Sequence, residues 1–376
     1  MMISYPGLSK LKTKPVIYED VFSASDSGTL EQLKELSSKR KSMEDSINEI
    51  SFVTEAIARE MSGGLTYRSE QDIQKLECYL PLLENLVHHI TCNGKTYQLF
   101  CWISKLQIRW SSGLTQPSVF NIHGPKFYQV DDMYFELGMS LFIYGALLRE
   151  RAHEILASDM VQSTTLFRKA AGVYNYLSQE ILINLNSIKE RPPEAMQSVS
   201  SIMSLVCLAE AQAVTARKAE ENGNRGGLLA KLHCGVKEFL VEAINILQIV
   251  TKECNISSPF LDFIHSAKTL HESMSYKYHA EGLKHDGKIG IAIGFLRRAL
   301  VEVKKSIPKE ESWRLVFKQV IDELTALLQK YEHENEFVWR EKVACDDELA
   351  LPQSVKIVSP VSHQPQIWER TLVFKY

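Results

Sequence analysis

A chain of 376 residues, 45% hydrophobic and 24% charged, has the make-up of a folded soluble protein and can fill one elongated domain or two compact ones. Its formal net charge of −3 removes any global drive toward nucleic acid. The one dense basic cluster, Lys39-Arg40-Lys41, reads as a solvated helix face.

The opening Met1-Met-Ile-Ser-Tyr-Pro6 has neither the basic start nor the long apolar run of a signal peptide. Residues 15–22 alternate and are β-branched enough to suggest one or two short strands. Thr29 with Gln32 three residues on suggests a capping box. Met43, Ile47, Ile50, Ile57 and Met61 then keep helical phase, with Thr54 in the gap, until Gly63-Gly64. A helix over 69–90 follows, with Pro81 expected to kink it, and another over 99–110. A loop marked by Gly113, Pro117 and Gly124-Pro125 leads to six helices at about 131–156, 164–186, 193–221, 227–254, 260–285 and 288–305. Trp313, Phe317, Val320, Leu324, Leu327 and Tyr331 form one stripe of a last long helix, which runs into the charged, aromatic stretch ending at Val343. Beyond it, Pro352, Pro360 and Pro365 and the β-leaning segment 354–358 suggest a tail lying extended along the body.

Nearly continuous helix without βαβ alternation excludes the nucleotide-binding α/β architectures. Stacked helical hairpins are expected instead, and Tyr276, Ala280, Leu283, Gly287, Ala292, Leu296 and Ala299 echo tetratricopeptide spacing. The echo has no fixed period, so a regular repeat array is not expected.

Catalytic and cofactor motifs fail in turn. Gly138-Met-Ser-Leu-Phe142 is half a nucleophile elbow in a helical context. Gly223 to Gly227 lacks the lysine of a phosphate loop, and Gly287, Gly290 and Gly294 follow no strand; they are read as allowing close helix packing. His88-His89 near Cys92 has no second ligand pair, and His333 lacks the second histidine of a zinc-protease helix. The seven cysteines show no metal-ligand spacing, and the longest apolar-rich run, 139–148, falls short of the roughly 20 residues that cross a bilayer. The expectation is a cytoplasmic chain with reduced thiols, an unused Asn255-Ile-Ser257 sequon, no enzyme activity, no cofactor, no metal and no transmembrane segment.

The segment Lys330-Tyr-Glu-His-Glu-Asn-Glu-Phe-Val-Trp-Arg-Glu-Lys-Val343 resembles the end of the BRO domain of Alix- and Brox-type proteins, although Ala344 stands where the family usually has proline. Four more pieces fall in family order: 134–146, the Ala170-Ala171-Gly172 helix, the pair 208–214 and 227–232, and 276–299. The resemblance covers about residues 15–345. It implies a mainly α, curved, tetratricopeptide-like solenoid with a small sheet near the N-terminus, formed by one domain over 1–376 whose last part, 346–376, is an extended tail.

It also implies an endosomal adaptor that binds the C-terminal amphipathic helix of an ESCRT-III charged multivesicular body protein. Leu228 and Leu232 match the family's partner-contacting aliphatic positions. Read from the residues alone, the helix after Gly227 has two apolar stripes, and it either packs on both or exposes one. Thr215 occupies a position that is phenylalanine in Alix-type and threonine in Brox-type members, which places this chain nearer the latter. Asp159 lies near a family acidic contact and equally fits a helix N-cap. The chain shows no long coiled-coil or proline-rich region and no C-terminal prenylation cysteine, so membrane association is expected through the partner. The competing expectation is a helical scaffold for another client peptide, cytoskeletal or signalling. Phe337, Val338 and Trp339 are expected to fasten the tail to the body.

Overall fold

Apolar residues at helical spacing need a neighbour to cover them, and in this chain each long helix finds the next one in sequence. The computed structural model describes residues 2–5, 7–50, 68–93, 106–115, 125–366 and 370–375. Its long helices are α2 (Ser27–Ile50), α3 (Arg68–Asn93), α4 (Met133–Ile155), α5 (Met160–Tyr176), α6 (Gln197–Glu221), α7 (Gly226–Glu253), α8 (Ser258–His285), α9 (Ile289–Lys305) and α10 (Glu311–Glu334), preceded by the single turn α1 (Tyr18–Val21). From α2 to α10 each packs on its sequence neighbour, which makes the fold a mainly α, tetratricopeptide-like stack. Helix α6 is long and apolar enough to cross a bilayer, but 83% of the qualifying window is buried among its neighbours, so it is a core helix.

The small sheet is an antiparallel pair, β1 (Arg109–Ser111) and β2 (Phe127–Gln129), with a lone bridge from Thr13 to Trp110. Two sequence expectations change here. Residues 15–22 are not strands: Tyr18 and Phe22 turn inward, the Tyr18 hydroxyl meets that of Tyr79 at 2.6 Å, and the chain folds into α1. Burying two aromatic rings outweighs β propensity. Nor is 106–110 helical. Leu106, Ile108 and Trp110 are fully buried while Gln107 and Arg109 are not, a period of two in place of 3.6. The rest of that expected helix, 99–105, lies outside the described residues, as do Thr54, Ile57, Met61 and Gly63-Gly64.

Helix starts shift for local reasons. Asp26, not Thr29, caps α2: its carboxylate accepts from the Thr29 amide at 2.7 Å. Asp159 opens α5 before residue 164, and beyond Tyr176 that helix loosens into a π turn (Leu177–Ile181) and a 3-10 turn (Leu182–Leu185). Pro193–Ala195 is a separate 3-10 turn, so α6 begins at Gln197. Helix α3 runs through Pro81. After α10 a π turn (Asn335–Trp339) ends at Arg340 in the left-handed region, φ 54°. Phe337, Val338 and Trp339 are exposed there and do not fasten the tail. Asn335 does that: its side chain donates to the Glu341 carbonyl and accepts the Glu341 amide, both at 2.9 Å.

Arg40 is the sharpest departure from the composition. It is not solvated but fully buried. Its guanidinium donates to Glu136 at 3.1 Å, Glu44 at 2.9 Å and the Thr13 hydroxyl at 2.5 Å. Glu136 in turn accepts from Tyr79 at 3.0 Å and Trp110 Nε1 at 2.8 Å. This network ties α2, α3, α4 and β1 together. Removing one partner strands a buried charge, so Arg40→Met is expected to cost about 3–5 kcal/mol in urea unfolding. A loss below about 1 kcal/mol would show that Glu136 does not need its cation.

A second buried polar contact sets acid sensitivity. The Nδ1 atoms of His233 on α7 and His271 on α8 lie 3.0 Å apart, within hydrogen-bonding distance. Burial, then nearby positive charge including Lys277, pushes His233 down to about 3, and burial followed by His233 pushes His271 well down. An unfolded chain binds these protons from about pH 6.5, so stability is complete above that value and falls as the pH drops toward about 3. Urea midpoints should therefore decline below about pH 6.5, and His271→Asn should make the decline shallower. An unchanged slope would remove this pair as its cause.

Candidate functional site

Three consecutive helices present one stripe each to the same face. On α7 the stripe is Leu228, Lys231, Gly235, Glu238 and Glu242; on α6, Leu205, Leu208, Gln212, Thr215 and Ala219; on α5, Val161, Thr165, Arg168 and Gly172. Residues 352–363 cross this face as an extended strap. Over α7, the Val355 amide donates to the Lys231 carbonyl at 3.2 Å and the Ser354 hydroxyl to Glu238 at 2.5 Å. Lys356 pairs with Glu242, its ammonium 4.5 Å from the centre of the Phe239 ring. Over α5, the Val361 amide donates to the Arg168 carbonyl at 3.0 Å, and Arg168 Nε returns a bond to the Ser359 carbonyl at 2.8 Å. The His363 ring then packs at a tilt against Tyr176, centroids 5.1 Å apart.

Gln212 holds the middle. Its amide nitrogen donates at 2.8 Å to both the Leu232 and Val355 carbonyls, and its oxygen accepts the Ile357 amide at 3.0 Å. Sequence reading missed it, although a lone glutamine among Leu208-Ala-Glu-Ala-Gln-Ala-Val214 was the available signal. Gly172 and Gly235 let the strap lie on the helices: a β-carbon at either would overlap the carbonyl of Val361 or Val355.

The strap leaves the α5 N-terminus, the α6 C-terminus and the α7 N-terminus uncovered at one end. Leu228 is there, 43% exposed. Val161 on α5 and Ile357 on the strap are also exposed, and neither was singled out from sequence. Thr215 is half-buried, its hydroxyl bonded to the Ala211 carbonyl of its own helix at 2.9 Å. Leu232 is 2% exposed: it packs inward and supports this end of α7 without reaching the surface. Asp159 is the N-cap of α5, accepting from the Val161 and Gln162 amides at 2.9 Å. Arg225 and Lys231 flank Leu228 by three residues on either side, both exposed and neither paired with a carboxylate among the described residues.

Such a surface can take an amphipathic segment, apolar toward Leu228 and acidic toward Arg225 and Lys231. Beneath it, Arg149 grips Glu210 through Nε at 2.7 Å and Nη2 at 2.5 Å. Burial works to raise Glu210, but Arg149 and then His153 outweigh it and hold the carboxyl at about 2. Among the described residues no three of His, Cys, Asp and Glu converge to hold a metal.

The family model described as the BRO1-like domain matches residues 32–373. The human BRO1 domain-containing protein BROX is 24% identical over 311 residues, covering 76% of this chain and 71% of the relative. The vacuolar-sorting protein BRO1 of Saccharomyces cerevisiae is 23% identical over 315 residues, 81% of this chain and 34% of the relative. In structure, the ALIX BRO1 domain of a complex with CHMP4C superposes with a TM-score of 0.74 at 16% identity, covering 98% of both chains. A Bro1 domain described in terms of endosomal targeting gives 0.65 at 16% identity, over 98% of this chain and 94% of the other.

Gln212→Leu keeps the volume and removes both strap bonds together with the bond to the Leu232 carbonyl. It should lower stability by about 1–3 kcal/mol and open residues 352–363 to proteases. Unchanged cleavage there would mean that the glycine crossings alone hold the strap.

Proposed function

The chain belongs to the BRO1-like domain family, and from that premise we propose a non-enzymatic endosomal adaptor whose uncovered α5–α7 end binds the C-terminal amphipathic helix of a charged multivesicular body protein, an ESCRT-III subunit. The observation that carries the reading is Leu228, an apolar side chain held outward on a rigid helix between two exposed cations. Helix-in-groove recognition needs these parts: an apolar anchor, a firm floor and charge that fixes orientation. Val161 and Ile357 widen the apolar contact, and Thr215 leaves more room than a phenylalanine would. The ALIX BRO1 domain in the CHMP4C complex has this fold, which supports the partner class. The family relatives support the setting, a cytoplasmic protein recruited to endosomes through its ESCRT-III partner.

Titrating a charged multivesicular body C-terminal peptide onto the chain tests this. Leu228→Asp removes apolar burial and inserts a charge, so it should weaken binding at least about tenfold. Leu315→Asp, at an exposed position on α10, should leave it unchanged. Leu232→Asp is a poor probe, because a charge there would damage the core. Binding indifferent to Leu228→Asp would sink the site, and a lysate capture dominated by cytoskeletal or signalling proteins would favour a different client.

A further inference from the structure

A cavity of about 490 Å³ lies where α7, α8 and the α9–α10 connection meet. Val241 and Ile244 of α7 and Pro308 of the connection form its apolar walls. Ile244 is half a turn round α7 from Gly235, so the cavity and the strap occupy different sides of that helix. Its polar lining is unusual. Ser266 lines it while only 6% exposed, and its hydroxyl has no hydrogen-bond partner among the described residues. The hydroxyls of Thr269 and Ser306, on the same lining, are also without one among those residues. A helical hydroxyl often turns back to a carbonyl of its own helix.

Cations stand beside these donors. Lys309 is exposed and without an ion-pair partner among the described residues, Lys268 shares its charge with Glu272, and His265 lines the same space. Hydroxyl donors grouped with ammonium groups match an oxyanion that accepts several hydrogen bonds. Asp262, exposed on the lining and without a partner among the described residues, adds an acceptor, which a bare phosphate would leave unmatched and a ring hydroxyl would satisfy. A metal does not fit, because His265 and Asp262 have no third ligand.

We propose that this cavity binds a phosphorylated polyol, with its phosphate on Lys309, Lys268 and the Ser266, Thr269 and Ser306 hydroxyls and a ring hydroxyl donating to Asp262. The volume suits a ligand of that size. Free inositol phosphates and phosphoinositide headgroups share this chemistry.

Calorimetry with inositol trisphosphate, and sedimentation with phosphatidylcholine vesicles carrying a phosphatidylinositol bisphosphate, separate the two sources. Saturable binding in solution without vesicle retention assigns a free ligand; retention assigns a lipid headgroup, and both carry the proposal. The Lys309→Ala/Ser266→Ala variant should weaken either response at least about tenfold, with inorganic phosphate binding more weakly than the trisphosphate. Its unfolding midpoint and its binding of the charged multivesicular body peptide should stay as in the parent chain, which shows that the fold is intact. No saturable response, an undiminished response in the variant, or preference for a phosphoserine peptide over inositol trisphosphate would overturn it.

Discussion

The organisation of this molecule depends on one backbone path that lies directly on helices. After α10 the chain turns back, and the Ala344 amide reaches the Gly290 carbonyl at 3.2 Å while Glu341 accepts the Gly290 amide at 2.7 Å. It then passes α7 at Gly235 and α5 at Gly172, with Gln212 bridging α6 between them. A side chain at either of the later glycines would lift the strap away and leave its backbone groups without partners. Stacked helices supply a curved wall; the strap makes one face of that wall continuous. The glycines at 290 and 294, which from sequence suggested close helix packing, receive this returning chain instead.

Two buried ion pairs fix helices of the stack, among them α6, which the strap crosses. Arg40 with Glu136 locks the N-terminal helices to β1, and Arg149 with Glu210 joins α4 to α6 while donating to the Tyr5 carbonyl at 3.0 Å. Taking such charges out of water costs about as much as their attraction returns, so their effect is chiefly on register. They require one relative placement of α4 and α6. The stripe with Gln212 and Thr215 is on the same helix as Glu210, and its position follows from that pair.

The helices were legible because burial repeats every three to four residues, and the stripe from Trp313 to Tyr331 needs no neighbour to be recognised. Where the deciding partner is distant in sequence, the pattern misled. Arg40 sits in a basic triplet, and only Glu136 and Thr13 explain why it is buried. Residues 106–110 look helical by composition, but their inward side is set by Phe127–Gln129 across the sheet. The aromatic run 337–339 suggested an anchor, whereas a polar residue two positions earlier, Asn335, makes the bonds. Gln212 stood out only as a lone glutamine, and its role was hidden for the same reason: its partners are 20, 143 and 145 residues away.

At the candidate surface this distinction separates two leucines that sequence treats as a pair. Leu228 and Leu232 are one turn apart, and a helix viewed alone would present both. The strap crosses α7 at Lys231 and Gly235, and Gln212 takes the Leu232 carbonyl directly as one of its three bonds. That crossing marks where the docked core ends and the open surface begins. Leu228 falls on the open side, with Arg225 and Lys231 around it, while Leu232 falls within the packed layer. The limit of what a partner can touch is therefore drawn by residues 352–363, about a hundred positions beyond the helix that carries the anchor.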